Sequence, residues 1–123
     1  MAGTEPVLDG SCFRVLVDEL DGETIAFRFI IEFQTLLPSR VNRIQRAVAN
    51  QDLAAAMDAV LSLASSASMV GGLQVAHQCR SIGRALKRSD FDTAHQASLI
   101  LGGQTQELAH ELSAMLDAFT AGS

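Results

Sequence analysis

Apolar side chains recur at intervals of three, four and seven from Phe13 to Phe119, and the interruptions between stretches are only a few residues long. That spacing puts them on one face of a helix. Ser11 to Leu20 sets Phe13, Leu16, Val17 and Leu20 on one side, and Asp21-Gly22 ends the stretch. Glu23 to Asn50 carries Phe27, Ile30, Ile31, Leu37, Val41, Ile44 and Val48 in a long second stripe. Pro38 lies inside it; proline has no N–H to donate and crowds the preceding turn, so a kink or local break is expected near Leu36 and Leu37.

Asn50-Gln51-Asp52 is the next boundary, with Asp52 placed to cap a helix. Leu53 to Val70 follows, with Leu53, Ala56, Met57, Val60, Leu63 or Ala64, Ala67 and Val70 facing inward and Gly71-Gly72 as a C-terminal stop. Leu73 to Arg88 repeats Val75, Cys79, Ile82 and Leu86 on one side and His77, Ser81, Arg84 and Arg88 on another. Phe91 to Phe119 sustains a stripe through Ala94, Ser98, Leu101, Thr105, Leu108, Leu112, Met115 and Phe119, weakened midway by Gly102-Gly103.

Four long amphipathic helices joined by short connections favour antiparallel neighbours. The fold class is therefore all-α: an up-down-up-down four-helix bundle with a short additional N-terminal helix, over residues 11–119 as one domain. Residues 1–10 and 120–123 are expected to be flexible tails. The core must come from Leu, Ile, Val, Met and Ala, because the aromatics are six Phe with no Trp or Tyr.

A net charge of -5 with no basic and aromatic interleaving gives no reason to expect nucleic acid as a partner. Cys12 and Cys79 stand far apart and outside any Cys-x-x-Cys pair, so reduced thiols and a cytoplasmic location are expected. No leader segment is evident at the amino terminus and no apolar run is read as spanning a bilayer, so no membrane is expected. His77, His95 and His110 are dispersed, no Gly-rich phosphate loop occurs, and Asp18-Glu19 and Asp90 with Asp92 sit at helix ends, where capping accounts for them. Neither metal, cofactor nor enzymatic activity is expected.

Several fragments share an order with one family: Leu37-Pro38-Ser39-Arg40, Asn50-Gln51-Asp52-Leu53, Gly71-Gly72-Leu73 leading to Cys79-Arg80-Ser81-Ile82, and Ala85-Leu86-Lys87-Arg88-Ser89-Asp90-Phe91 followed by Ala94. Across residues 11–119 the chain resembles the histidine phosphotransfer (HPt) family, small bundles that pass phosphoryl groups between receiver domains. The family motif reads approximately Ala-His-x-Leu-Lys-Gly-Ser, and the corresponding stretch is Val60-Leu61-Ser62-Leu63-Ala64-Ser65-Ser66. The resemblance implies that Leu61 stands at the phosphoacceptor position, Ala64 at the lysine and Ser65 at the glycine. Leucine has no nucleophile, and alanine has no charge to offset a phosphoryl group.

The resemblance thus implies a degenerate, non-phosphorylatable HPt-like module whose partner is a response-regulator receiver domain or a histidine kinase. Its expected contact surface is Leu61, Ala64, Ser65 and Ser68, with Arg80 and Arg84 at the rim. Leu61 has a plainer alternative as a boundary leucine packed under the first helix. Ala76-His77-Gln78-Cys79-Arg80-Ser81 locally imitates the motif and makes His77 an alternative phosphoacceptor, but in that register too little chain remains for the last helices. Arg80, Arg84, Lys87 and Arg88 form one basic ridge, and Arg40, Arg43 and Arg46 form another. A self-associating scaffold, a homo-oligomer joined through exposed apolar residues, is the remaining alternative.

Overall fold

The computed structural model describes residues 5–121; residues 1–4 and 122–123, the outer parts of the two expected tails, lie outside the described residues. Five helices follow in order: α1 Cys12–Glu19, α2 Glu23–Ala49, α3 Leu53–Val70, α4 Leu73–Lys87 and α5 Phe91–Ala121. The four long helices pack in a ring, α2 on α3, α3 on α4, α4 on α5 and α5 on α2, and α1 lies against α2 and α3.

Side-chain amides give the relative direction of α2 and α5. Gln34 donates to the Ala109 carbonyl and to Ser113 Oγ, whereas Gln45, farther along α2, donates to the carbonyl of Ser98, earlier on α5. The two helices therefore run antiparallel. Arg40 to Ser62 and Arg43 to Asp58 show the same reversed order between α2 and α3.

The core is largely aliphatic, with Leu16, Ile30, Ile44, Leu63, Ile82, Leu86, Leu101, Leu108 and Leu112 enclosed and Phe13 and Phe33 buried beside them. On α4 the expected inner positions Val75, Cys79, Ile82 and Leu86 are all buried. On α2 the inner stripe passes through Ile30, Phe33 and Leu37, leaving Ile31 exposed against expectation. Leu53 also differs: as the first residue of α3, beside a corner, it has no neighbouring helix over it and is 43% exposed.

No break occurs at Pro38, because α2 runs through it without interruption. Pro38 faces solvent while Leu37 and Val41 face the core, so the missing hydrogen bond falls on the outer side of the helix, where carbonyls tilt toward water. α5 likewise continues through Gly102-Gly103. The bare Gly102 gives room to the Gln45 amide, which would lie 3.3 Å from a Cβ built there.

Four helices end the same way. Asp21, Gln51, Gly71 and Ser89 have positive φ, and the residue after each donates its N–H five residues back, to Val17, Ala47, Ala67 and Ala85. This is the Schellman arrangement, which satisfies carbonyls that a helix end leaves open. It lets two- or three-residue connections reverse the chain, so successive helices lie side by side.

Helix starts are capped at Asp52, which accepts from the Ala55 N–H, and at Asp90, which accepts from the N–H and hydroxyl of Thr93. The side-chain and backbone hydrogen bonds from Thr93 hold the Asp90 carboxyl below its ordinary value. A carboxyl with a lowered folded-state pKa contributes stability that is present above its unfolded pKa and lost as pH falls through the folded one. Asp90→Asn, which keeps a capping oxygen without the charge, is expected to shrink the acid-induced loss of stability below about pH 4, the ordinary carboxylate range. Urea melts at stepped pH check this.

The segment before α1, set outside the fold on sequence grounds, is fastened to the α3–α4 corner. Asp9 donates to the Gly71 carbonyl, Pro6 accepts from the Gln74 N–H, and Val7 and Leu8 pack partly against the core. Gly72 offers α4 no side-chain cap, so the Pro6 carbonyl satisfies one of the N–H groups that the helix start leaves open. At the other terminus, residues 120 and 121 continue α5.

Against the sequence expectation, α3 is long and apolar enough to cross a bilayer by length and composition, with 18 residues at mean hydropathy 1.5. Much of that hydropathy belongs to Ala56, Ala59, Val60, Leu63, Ala64, Ala67 and Val70, which face the bundle interior.

Candidate functional site

α3 has two faces built from similar letters. Its inner face is the buried set just named, and its outer ridge is Ala54, Asp58, Leu61, Ser65 and Met69, at spacings of four, three, four and four. Leu61 stands in the middle of that ridge, 52% exposed, while Leu63 is 0% exposed. The reading of Leu61 as a boundary residue packed under α1 does not match this exposure. Ser65 is exposed beside it and Ser68 is half-buried.

Ala64 was expected in the contact surface and is instead only 4% exposed. Three residues along a helix turn the direction by about 300°, which leaves Ala64 about 60° from Leu61 and on the side shared with Val60 and Ala67. Ala64 is therefore a core methyl group rather than part of the exposed ridge.

Cations reach α3 from the helices on either side. From α2, Arg40 donates to Ser62 Oγ at 2.8 Å, and Arg43 pairs with Asp58 at 2.9 Å. From α4, Arg80 donates to Ser68 Oγ at 3.1 Å. Arg84 remains on its own helix, bonded to Ser81 Oγ at 2.9 Å, and lies exposed one turn beyond Arg80. The structure thus joins Ser68 with Arg80, places Leu61 and Ser65 on one ridge, and leaves Arg84 outside that group.

Two hollows flank the ridge. One, of about 230 Å³, lies between α2 and α3 and is lined by Phe29, Glu32, Phe33, Leu36, Arg40 and Ser66. The other, of about 250 Å³, lies between α1 and α3 and is lined by Cys12, Val15, Leu16, Glu19, Ser68 and Met69. Leu36, Val15 and Met69 are exposed apolar residues on this side of the molecule. Met69 was accessible to sequence reasoning, since it is eight residues from Leu61 on the same ridge; Leu36 and Val15 depend on which helices meet.

Neither cysteine is an activated nucleophile. Burial pushes the Cys79 thiol up to about 12, and burial followed by the negative charge of Asp9 raises that of Cys12. Only thiolates attack efficiently, so both cysteines are poor nucleophiles at neutral pH. His77 is half-buried on α4 and makes no side-chain hydrogen bond to Arg80 or to α3. Among the described residues no group of three His, Cys, Asp or Glu could hold a metal ion. A larger groove, about 340 Å³, lies between α2 and α5 with Leu37, Pro38 and Val41 in its wall and Gln34, Gln45 and Gln106 at its rim. None of its lining residues comes from α3.

Comparison of the chain with known protein families, with curated proteins and with solved structures finds no match.

Proposed function

We propose that the bundle is an HPt-like binding module that docks a receiver domain or a histidine-kinase component through the outer face of α3 and accepts no phosphoryl group. The observation that carries this reading is the half-exposed Leu61 at the centre of the α3 ridge, at the position where the sequence resemblance puts a phosphoacceptor. An apolar centre edged by polar and cationic groups is what a helix-packing interface uses: the leucine is desolvated by the partner, and the arginines set orientation. Leu61, Ser65 and Met69 form the centre, with Leu36 and Val15 beside it and Arg40 and Arg80 on the flanks. Ala64 drops out of the contact set, and Arg84 acts only as a peripheral charge.

Purified receiver domains and histidine-kinase dimerisation domains from the same genome, titrated onto the immobilised protein, test the proposal. Leu61→Arg is expected to weaken binding at least about tenfold, or about 1.4 kcal/mol, by placing a charge where the partner packs. Unchanged affinity in that variant sinks the docking role of Leu61. Incubation with a phosphorylated receiver is expected to leave the protein unmodified; an acid-labile adduct that disappears in His77→Gln would establish phosphotransfer through His77 instead.

A further inference from the structure

α2 and α5 share an outer face that carries no Asp, Glu, Lys or Arg. Along the groove between them α2 presents Ile31, Gln34, Pro38, Asn42 and Gln45, and α5 presents Leu99, Gly102, Gln106, Ala109 and Ser113, each row at spacings of three and four. The chain has nine basic and fourteen acidic residues, yet none falls on these rows. The charges next to them in sequence turn elsewhere. Arg40 and Arg43 reach α3, Glu32 lines the hollow on the α3 side, and Glu107 and Glu111 are turned about 100° or more from Gln106. For a chain of net charge -5, a second copy can approach this face without setting like charges against each other.

Two exposed apolar side chains mark opposite corners of the face. Ile31, 53% exposed, comes three residues before Gln34, which reaches Ala109 and Ser113; Leu99, 54% exposed, follows Ser98, which Gln45 reaches. They stand on different helices, about 20 Å apart along the axis. A two-fold axis through the groove, perpendicular to the helices near Pro38 and Gln106, exchanges these corners. It lays α2 of one copy parallel to α5 of the other and sets Ile31 on Leu99 twice. In the same register Pro38 meets the exposed Gln106, whose amide can donate to Gln34 Oε1, since the Gln34 amide nitrogen is already committed to α5. Over residues 95–113 the face is about 28 Å long and about 20 Å wide, so a pair would bury about 1,200 Å² in total, the lower end for a specific interface.

We infer that the protein forms a two-fold symmetric dimer with a second copy of itself through this α2–α5 face. The same patch serves both copies, so the contact closes at two chains. It rests on apolar burial and uncharged hydrogen bonds, which salt does not screen. No part of the face comes from α3, so both α3 ridges stay uncovered and the inference does not depend on a signalling partner.

Sedimentation velocity over a concentration series tests the inference. The mass is expected to rise to two chains and no further, and to do so equally at about 0.1 M and about 1 M salt. Ile31→Glu and Leu99→Glu are each expected to weaken the dimer at least about tenfold, by placing a charge against an apolar side chain. Both positions are exposed on helices, so the circular dichroism is expected to be unchanged. Disulfide trapping checks the register. Cys12→Ser removes the one accessible thiol, and Ile31→Cys with Leu99→Cys added to it is expected to give a covalent dimer under mild oxidation. Within one chain those two positions are too far apart to be bridged, and either cysteine alone is expected to leave the chains unlinked, because the axis holds its two copies apart. A single chain at every concentration overturns the inference, as does a dimer that survives both glutamate variants or single cysteines that cross-link as readily as the pair.

Discussion

Leu63→Ala is expected to lower the free energy of unfolding by about 3 kcal/mol, within the range for truncating an enclosed leucine. Leu61→Ala, two residues earlier on the same helix, is expected to change it by less than about 0.5 kcal/mol. Both substitutions delete the same atoms from the same kind of backbone, so the difference measures environment alone. Leu63 is 0% exposed in the middle of the core, and its loss leaves a void that surrounding leucines cannot close without distortion. Leu61 already has half its surface in water. For a domain of this size the first change corresponds to about 10 °C in melting temperature and the second to a degree or two. Thermal melts of the pair therefore test the rotation of α3 on which the docking face depends. Equal losses would mean that α3 is turned differently and that Leu61 belongs to the core.

The same contrast explains which parts of the fold the sequence discloses. α4 alternates arginines with Val75, Cys79, Ile82 and Leu86, so its inner and outer faces differ sharply in polarity and all four inner positions are recognisable. α3 is written mostly in Ala and Ser, whose small side chains tolerate either environment. Spacing alone therefore leaves Leu63 and Ala64 as alternatives for the core, and the structure buries both. Helix ends show a similar division: Gly71 announces a left-handed residue, whereas Gln51 and Ser89 adopt the same conformation without glycine and give no local sign of it.

The candidate site divides along the same physical line. The exposure of Leu61 and Ser65 follows from helical period, a property of one element. The approach of Arg40 to Ser62 and of Arg80 to Ser68 depends on how far α2 and α4 slide along α3, which the packing of many side chains decides together. For this reason the two arginine ridges are visible in the sequence as charge runs, but not as the flanks of one surface. Pro38 illustrates the complementary error: a local rule predicts a break, and the tertiary setting, with the ring on the solvent side, removes the need for one.

Gly71→Ala is expected to cost about 3 kcal/mol and to release the segment before α1. Two separate effects act at this residue. Its φ of +87° lies in the left-handed region, where a side chain costs about 1–2 kcal/mol. A Cβ would also collide with the Asp9 carbonyl oxygen, a backbone atom that moves only if the whole segment moves. Displacing it breaks the Asp9 to Gly71 and Gln74 to Pro6 hydrogen bonds and uncovers Val7 and Leu8. Gly72→Ala is the instructive comparison, because its φ of -79° is ordinary and the close contact of the added methyl is with the Leu108 side chain rather than with the backbone of the segment before α1. Its expected cost is about 1–3 kcal/mol, the range for adding one methyl to a packed interior. Hydrogen exchange separates the two: the amides of Asp9 and Gln74 are expected to lose protection in Gly71→Ala and to keep it in Gly72→Ala. Retained protection in both variants would show that the segment is held by its apolar side chains rather than by the backbone seat at Gly71.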